Sequence, residues 1–297
     1  MTARLLTIAS HDLSATFAPD VGMLGTSLVF RGQELLDLSG GVTRYEQGHQ
    51  TGLPLLAPWA NRLGEWRYEV DGVRVDLDGS LGTDPNGLPI HGTMTAASGW
   101  KVLEVQPARL RARFSYGERP DLLRAFPFPH DLVLDMAVDG AVLAITTTLR
   151  ATGERRVPVS FGWHPYLRLP DAPRQSWRLV LPARQHLELD DESLPTGASK
   201  PEDAETEPVG DRTFDDLYAL DSDRVIAIEG GGLRVAVHYE QGYPFAQVFA
   251  PPGGDFVCLE PMTAPTNALL TGACPLVEPG DVYTARFSIA ARDISET

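Results

Sequence analysis

Four short polar segments in otherwise apolar or Gly/Pro-rich sequence carry side chains that could bind or act on a polar ligand. Asn61 and Arg62 follow the apolar run LPLLAPWA, and a guanidinium offers a planar fork of donors that suits hydroxyls and carboxylates. His91 precedes Gly92, and a glycine lets backbone approach a ligand closely. The alternatives are an arginine paired at the edge of the core and a histidine packed for structure.

The other two polar segments hold a candidate acid and a candidate base. His164 lies between Trp163 and Pro165, and a partly buried imidazole can exchange a proton near neutral pH. Glu260 ends an apolar strand and precedes Pro261, which fixes the direction of the chain after the carboxylate. A buried carboxylate is costly unless it is paired or used, so a hydrogen-bonded structural glutamate is the alternative.

Other chemistries lack their minimal sequence signals. The chain contains no GxxxxGK, GxGxxG or GxSxG motif, which disfavours phosphate-loop, dinucleotide-binding and serine-hydrolase activities. The histidines are widely spaced, and Cys258 and Cys274 have no second thiol at ligand spacing, so we expect no metal site. Lys101 and Lys200 are the only lysines, and neither position suggests a desolvated Schiff-base amine.

The charge of the chain is strongly acidic and unevenly distributed. With 25 Lys+Arg against 40 Asp+Glu the net charge is −15, which disfavours binding to nucleic acid or to an anionic membrane surface. Residues 188–216 contain eleven acidic and two basic residues, so most of the excess lies there. We predict that this segment is a long, solvated surface loop leading into Asp215 and Asp216.

The N-terminal segment does not resemble a secretory signal, because a single basic residue precedes a short apolar run that His11 and Asp12 interrupt. No apolar run approaches the roughly 18 residues of a membrane span. We therefore expect a cytoplasmic protein with reduced thiols, present as a monomer or homodimer.

The elements that must position these residues are predicted to be strands. Period-two alternation recurs along the chain, and Asp-Gly or Gly-rich turns separate the alternating segments, as at 71–72, 139–140 and 229–232. About twenty short strands indicate one large antiparallel sandwich or barrel domain over residues 1–297. We predict one short helix near PTNALL, capped by Thr266 or Asn267. The alternating segments are RLLTIAS, GTSLVF, WRYEV, VRVDLDG, KVLEVQ, RLRARFSY, HDLVLDMAV, AVLAITTTL, WRLVL, LRVAVHYE and VYTARFSIA.

The sequence resembles the aldose 1-epimerase (galactose mutarotase) family in the order of its short motifs, which are the pairs NR and HG, the triplet HPY, an acidic pair and the triplet LEP. The resemblance extends from the N-terminal strands to the last one. It implies an all-β fold, a large antiparallel β-sandwich (supersandwich) with few short helices. It also implies an isomerase of carbohydrate metabolism that interconverts the α and β anomers of a hexose.

The resemblance assigns a role to each matching position. His164 would be the general acid, as imidazolium, and Glu260 the general base, as carboxylate; one acid and one base suffice for anomer interchange, with neither a metal nor a cofactor. Asn61 and Arg62 would hold sugar hydroxyls, and His91 would contact the sugar near its ring oxygen. Asp215 in FDDLY would bind hydroxyls, with Asp216 as the alternative assignment, and Gln247 in FAQVFAPPG would assist in the sugar site.

Two departures from the galactose-specific members leave the sugar open. Thr93 stands where those members have a second glycine, and Leu167 stands where they have an aromatic residue. A hexose-phosphate epimerase of the same family is one alternative. Two others are a glycoside hydrolase that pairs Glu260 with Asp215 or Glu278, and a non-catalytic carbohydrate-binding protein.

Overall fold

A computed structural model describes residues 3–294, and its strands and helices are numbered here in chain order. The first thirteen strands are β1 Leu6–Ala9, β2 Leu13–Ala18, β3 Leu24–Phe30, β4 Gln33–Glu34, β5 Leu55–Leu56, β6 Arg67–Val70, β7 Val73–Asp76, β8 Lys101–Gln106, β9 Arg109–Ser115, β10 His130–Asp139, β11 Val142–Ala151, β12 Val157–Pro158 and β13 Gly162–Trp163. The remaining twelve are β14 Tyr166–Leu167, β15 Arg178–Leu181, β16 Arg184–Leu189, β17 Pro195–Glu202, β18 Glu205–Pro208, β19 Phe214–Leu220, β20 Val225–Gly230, β21 Leu233–Gln241, β22 Phe245–Ala250, β23 Val257–Met262, β24 Leu276–Val277 and β25 Val282–Asp293.

Two large antiparallel sheets dominate the described chain and form a β-sandwich. The nine-stranded sheet has the order β18-β15-β20-β21-β25-β11-β10-β9-β8. The eight-stranded sheet has the order β17-β16-β19-β22-β23-β13-β5, and β14 also pairs with β23. Smaller sheets are formed by β1 to β4, by β6 with β7 and by β12 with β24. The fold is thus the all-β antiparallel sandwich that the sequence predicts.

The core lies between the two large sheets, as the contacts of one tryptophan illustrate. Trp163 of β13 is fully buried. Its indole Nε1–H donates to Thr147 Oγ1 of β11 at 3.1 Å, and its ring lies 5.9 Å from that of Phe287 on β25. The eight-stranded sheet is therefore packed directly against the nine-stranded one at the strand that leads into His164.

The alternating segments form strands because alternate side chains meet the core. Along β10 buried and half-buried residues alternate without interruption, which is the period of a strand with one face in the core. β10 pairs with β11 from His130 opposite Ala151 to Asp139 opposite Val142, across the predicted turn at 139–140. Each of the quoted alternating segments contains a strand.

The prediction of a long loop over residues 188–216 is wrong. This segment contains the end of β16, all of β17 and β18 and the start of β19. β17 is the outer strand of the eight-stranded sheet, and β18 is the outer strand of the nine-stranded sheet. Almost all side chains of β17 are exposed, so no apolar alternation marks it in the sequence, although β16 satisfies its backbone.

Three short helices occur in the described chain, and one was predicted. They are α1 Gly41–Glu46, α2 Pro120–Leu123 and α3 Ala268–Thr271. α3 begins after Asn267 as expected, but the Asn267 side chain does not cap it. Instead Asn267 Oδ1 accepts a hydrogen bond from the backbone N–H of Gly64 at 2.9 Å, which ties the helix to the Asn61–Arg62 segment. None of the helices within residues 3–294 has the length and apolar character needed to cross a lipid bilayer.

Candidate active site

A cavity of about 460 Å³ lies at the eight-stranded sheet, and its lining brings together residues from distant parts of the chain. Gln247 on β22 stands directly opposite Glu260 on β23, and Asp215 lies on the neighbouring strand β19. His164 lies in the short turn between β13 and β14. All seven predicted site residues line this cavity: Asn61, Arg62, His91, His164, Asp215, Gln247 and Glu260.

His164 and Glu260 form a buried acid–base pair. His164 Nε2 lies 3.2 Å from Glu260 Oε1, and the two side chains are 6% and 2% exposed. The imidazole is stacked on the ring of Tyr166, with centroids 4.5 Å apart and planes 10° apart. The backbone N–H of His164 donates to Pro54 O at 3.1 Å. The backbone and the stacking therefore fix the imidazole at a distance from which a proton can pass between the two groups.

Burial determines the protonation of this pair. Burial, together with the nearby Asp215 carboxylate, raises the pKa of Glu260 well above its ordinary value, against the opposing charge of Arg62. Burial lowers the pKa of His164 to about 3. Both shifts favour the neutral forms, so the proton of the pair lies on Glu260 rather than on His164. The imidazolium–carboxylate arrangement expected from the sequence differs from this one by the position of that single proton.

The backbone of His91 has a left-handed conformation, and its ring contacts that of His164. Its φ is 63°, and its N–H donates to Asn61 O at 2.9 Å. Its ring meets that of His164 edge to face, with centroids 5.5 Å apart. Burial lowers the pKa of His91 well below its usual value, and the charge of Arg62 acts in the same direction. His91 therefore enters the site as a neutral imidazole that can donate one hydrogen bond and accept another.

Gly92 is required where the backbone passes the cavity. Its φ is 70°, and a Cβ at this position would lie 2.2 Å from Ala57 O. The adjacent N–H groups of Thr93 and Met94 both donate to the same carbonyl of Ala57, at 2.9 and 3.1 Å. The close approach of the two backbones therefore excludes any side chain at position 92, next to His91.

Arg62 is the centre of a polar network on one wall of the cavity. Its Nε–H donates to Asp84 Oδ2 at 3.0 Å, and its Nη2 donates to Asp215 Oδ2 at 3.4 Å. Gln247 Nε2 donates to the other oxygen of Asp215 at 2.7 Å. Arg62 Nη1 donates to Ser193 O at 3.3 Å. The sequence signalled neither Asp84 nor Ser193 as part of the site.

The structure distinguishes the two adjacent aspartates of β19. Asp215 faces the cavity, whereas Asp216 lies 3.3 Å from His186 in a separate surface cluster with Glu202. Successive residues of a strand point to opposite faces of the sheet, so only one of the two can reach the cavity. The position of Asp215 agrees with the first of the two assignments made from the sequence.

Several polar atoms of the cavity residues are buried without a hydrogen-bond partner. Among the buried side-chain atoms within residues 3–294 that lack a hydrogen-bond partner, four belong to cavity residues predicted from the sequence: His91 Nδ1, His164 Nδ1, Gln247 Oε1 and Glu260 Oε2. A buried polar atom without a partner costs about 1–3 kcal/mol. The four atoms therefore concentrate an unmet hydrogen-bonding capacity around the cavity.

The rim of the cavity contains residues that the sequence did not single out. Arg44, His49 and Asn86 are exposed residues of its lining, and Asn86 lies on the loop that carries Asp84. The aromatic rings of Tyr166 and Phe249 also line the cavity, and both contact His164, the first stacked on it and the second edge to face. Tyr166 belongs to the HPY triplet, so that motif contained a signal for it. In the described part of the chain, no group of three or more His, Cys, Asp or Glu side chains is arranged to hold a metal ion.

Comparison with known proteins connects this chain with a family. The family model for aldose 1-epimerase matches residues 4–290. A search of the curated proteins finds no match.

Solved structures share the fold at low identity. A Synechocystis protein superposes with a TM-score of 0.81 at 23% identity, covering 99% of this chain and 97% of that one. A putative aldose 1-epimerase from Escherichia coli gives a TM-score of 0.80 at 18% identity, covering 99% and 100%. An aldose epimerase homologue from C. elegans gives 0.84 at 17% identity, with the same coverage. The match to the family model over nearly the whole length shows that this chain belongs to the aldose 1-epimerase family.

Proposed function

We propose that this protein is an aldose 1-epimerase that interconverts the α and β anomers of an unphosphorylated hexose. The observation that carries the proposal is the His164–Glu260 pair, 3.2 Å apart and almost fully buried, in a cavity lined by polar residues whose buried atoms lack hydrogen-bond partners. Ring opening needs a base for the anomeric hydroxyl and an acid for the ring oxygen, and this pair can supply both.

The chemistry is a pair of proton transfers in each direction. Glu260 takes the proton of the anomeric hydroxyl while His164 delivers one to the ring oxygen, and the C1–O5 bond breaks to leave the open-chain aldehyde. Rotation about the C1–C2 bond exposes the other face of the aldehyde. Closure returns the first proton from Glu260 to the anomeric oxygen and the second from the ring oxygen to His164. Protons and electrons balance over the cycle, so the enzyme is regenerated unchanged.

Sugar binding must place the proton of the pair on His164 before the reaction begins. Burial favours the neutral pair, with the proton on Glu260. Sugar hydroxyls that donate to Glu260 stabilise its carboxylate, because hydrogen bonds to the charged form lower a carboxyl pKa. The anomeric hydroxyl can thus move the shared proton to His164 and prepare the acid and the base together.

The remaining residues hold the ring while the protons move. Arg62 and Asp215 offer donors and acceptors to adjacent hydroxyls, and Gln247 fixes Asp215 at 2.7 Å. Asn61 directs its Oδ1 to the N–H of Arg62 at 3.0 Å, which leaves its amide N–H groups for the sugar. In this proposal His91, neutral and in contact with His164, donates near the ring oxygen. Fixing the ring in this way shortens both proton paths.

The charges of the cavity favour a neutral sugar over a hexose phosphate. Arg44 and Arg62 are the only lysine or arginine side chains among the described residues that line it. Arg62 is already paired with Asp84 and Asp215, so only the exposed rim residue Arg44 remains for a phosphate. Binding a dianion usually requires several charge-assisted donors. Comparing the rates on glucose and on glucose 6-phosphate tests this part of the proposal, and a faster rate on the phosphate would overturn it.

The position of Glu278 weighs against one form of the glycoside hydrolase alternative. Glu278 is exposed and lies 3.9 Å from Arg156, outside the cavity that contains Glu260. A hydrolase would therefore have to use Glu260 with Asp215, which Arg62 and Gln247 already hold. Release of reducing sugar from an aryl glycoside would favour hydrolysis, and binding without faster mutarotation would favour a carbohydrate-binding role.

The central experiment is polarimetry on freshly dissolved α-glucose and α-galactose. We expect His164→Ala and Glu260→Ala each to lose at least about 100-fold in rate, the usual size of an acid–base contribution, while the fold survives. His186→Ala is the matched control, because His186 also contacts a glutamate, Glu202 at 2.9 Å, but lies outside the cavity. Near wild-type rates in both cavity variants would refute the assignment of acid and base.

A further inference from the structure

Asp84 is a buried aspartate with three hydrogen bonds, all made within the wall of the cavity. Its side chain is 1% exposed. One oxygen accepts Arg62 Nε–H at 3.0 Å. The other accepts the backbone N–H groups of Asn86 and Leu88, each at 2.9 Å. The carboxylate therefore links the guanidinium of Arg62 to the backbone of the 84–88 loop.

A second loop on the rim repeats this geometry without the arginine contact. Asp190 Oδ1 accepts the backbone N–H groups of Glu192 and Leu194 at 2.9 and 3.0 Å. In both loops the N–H of the aspartate donates to the carbonyl of the residue four positions on. The Asp190 carboxylate makes no hydrogen bond to Arg62; the loop reaches the arginine through Ser193 O instead. The 190–194 loop thus shows that such a loop closes without a bond from its aspartate to an arginine. The bond between Asp84 and Arg62 is therefore not needed to form the 84–88 loop.

The position of Arg62 is coupled to that of His91 through the same loop. Arg62 forms an antiparallel bridge with Ile90, and Leu63 N–H donates to Pro89 O at 2.9 Å. The loop that Asp84 closes continues directly into this pairing. Loss of the hydrogen bond between Asp84 and Arg62 would therefore disturb the chain next to His91, on the side of the cavity where His91 contacts His164.

We propose that Asp84 is a positioning residue, which acts on the reaction through Arg62 by holding the guanidinium against Asp215 and the sugar hydroxyls. The proposal rests on the proposed epimerase function. An arginine side chain has many rotamers, and fixing it in advance removes an entropic cost that substrate binding would otherwise meet. A bond from Nε also orients the plane of the guanidinium, so that the two Nη groups point to Ser193 and Asp215.

The test is Asp84→Asn with Asp190→Asn as the matched control. An asparagine can keep its oxygen on the two loop N–H groups in both cases, but at position 84 its amide would face Arg62 Nε–H, donor against donor. We expect Asp84→Asn to lose about 10- to 100-fold in kcat/KM, the scale expected for displacement of a group that orients the substrate. Asp190→Asn is expected to change it by less than about threefold, because the Asp190 carboxylate is bonded to its own loop rather than to Arg62.

A double-mutant cycle separates positioning from a general loss of stability. In an Arg62→Ala background, Asp84→Asn is expected to have an effect of less than about threefold, since the residue through which it acts is gone. A full additional loss in that background would overturn the proposal. So would unchanged kcat/KM in Asp84→Asn alone.

A readout independent of turnover distinguishes failure of this proposal from failure of the proposed function. The Arg62 Nε–H proton should give a slowly exchanging NMR signal in the wild type and in Asp190→Asn, and the signal should be lost in Asp84→Asn. A wild type that accelerates no mutarotation would refute the epimerase function, while the NMR signal would still decide whether Asp84 holds Arg62. Retention of that signal in Asp84→Asn would refute the positioning role.

Discussion

Replacing Glu260 by glutamine keeps the size of the side chain and removes its charge, and we expect the change to stop turnover while stabilising the fold. Glu260 is 2% exposed, and burial with the Asp215 charge raises its pKa well above the ordinary value. Because burial disfavours the charged form of this carboxyl group, its presence lowers the free energy of unfolding of the wild type at neutral pH. The glutamine variant has no charge to desolvate.

The size and sign of the effect follow from proton binding. Because the folded protein holds the Glu260 proton more tightly than the unfolded chain does, its stabilising contribution is complete below the ordinary pKa of 4.5. That contribution is lost as the pH rises toward the raised pKa, at a rate approaching about 1.4 kcal/mol per pH unit. The glutamine variant lacks this loss. Its advantage over the wild type should therefore grow by about 1 kcal/mol between pH 5 and pH 6.

The assays are urea unfolding at several pH values and polarimetry at neutral pH. We expect the mutarotation rate of Glu260→Gln to fall by at least about 100-fold. Glu202→Gln is the control: burial acts to raise the pKa of Glu202, but contacts with His186 and Lys200 lower it overall. The stability of Glu202→Gln relative to the wild type should therefore fall, rather than rise, as the pH increases through the ordinary pKa of a glutamate. The mutarotation rate of this variant should stay near that of the wild type.

Two results would refute this reasoning. A Glu260→Gln variant that unfolds more easily than the wild type at every pH would mean that Glu260 is a net stabilising carboxylate rather than a strained one. A variant with a rate within about threefold of the wild type would mean that the carboxyl transfers no proton in the slow step.

Three further outcomes are expected. His130 is fully buried, and burial lowers its pKa to about 4, so the folded protein loses stability as the pH falls from 6.5 toward 4. Urea unfolding should show that His130→Phe loses about 2 kcal/mol less stability than the wild type between pH 7 and pH 5. Asp215→Asn should lower kcat/KM by at least about tenfold and Asp216→Asn by less than about threefold, because only Asp215 lines the cavity; equal losses would contradict the separation of the two faces of β19. Gly92→Ala should lower the free energy of unfolding by at least about 2 kcal/mol, because its Cβ would meet Ala57 O at a positive φ, whereas Gly140→Ala, with open space around it, should cost about 1 kcal/mol.

The strands could be predicted wherever one face meets the core and the other meets water. β10 and β11 alternate clearly and are joined by an Asp-Gly turn, so their boundaries and pairing follow from local pattern. β17 could not be predicted in this way, because nearly all its side chains are exposed. Its strand conformation depends on the edge that β16 offers, which is a tertiary property.

The site could be predicted in part, because short motifs carry its proposed acid and base. His164 in HPY and Glu260 in LEP were identified in this way, but the state of their proton depends on how deeply the fold buries them. Asp84 gave no signal, since TDPNG is an ordinary turn sequence. Its role depends on Arg62, 22 residues earlier in the chain, reaching the turn in three dimensions.

The position of β17 and β18 gives the acidic excess a meaning that composition alone did not. They are the outer strands of the eight-stranded and the nine-stranded sheet, and the chain passes from one sheet to the other between Glu202 and Glu205. A sheet edge with free backbone groups is a template on which a second copy of the chain can pair. On β18, Glu205 and Glu207 repel a like-charged copy and Pro208 interrupts the ladder of donors. On β17 the charges of Lys200 and Glu202 balance, and the prolines Pro195 and Pro201 interrupt the ladder instead. The two outer strands thus disfavour pairing with a second copy of the chain, and acidification that neutralises Glu205 and Glu207 would weaken this protection at β18 while the prolines keep it at β17.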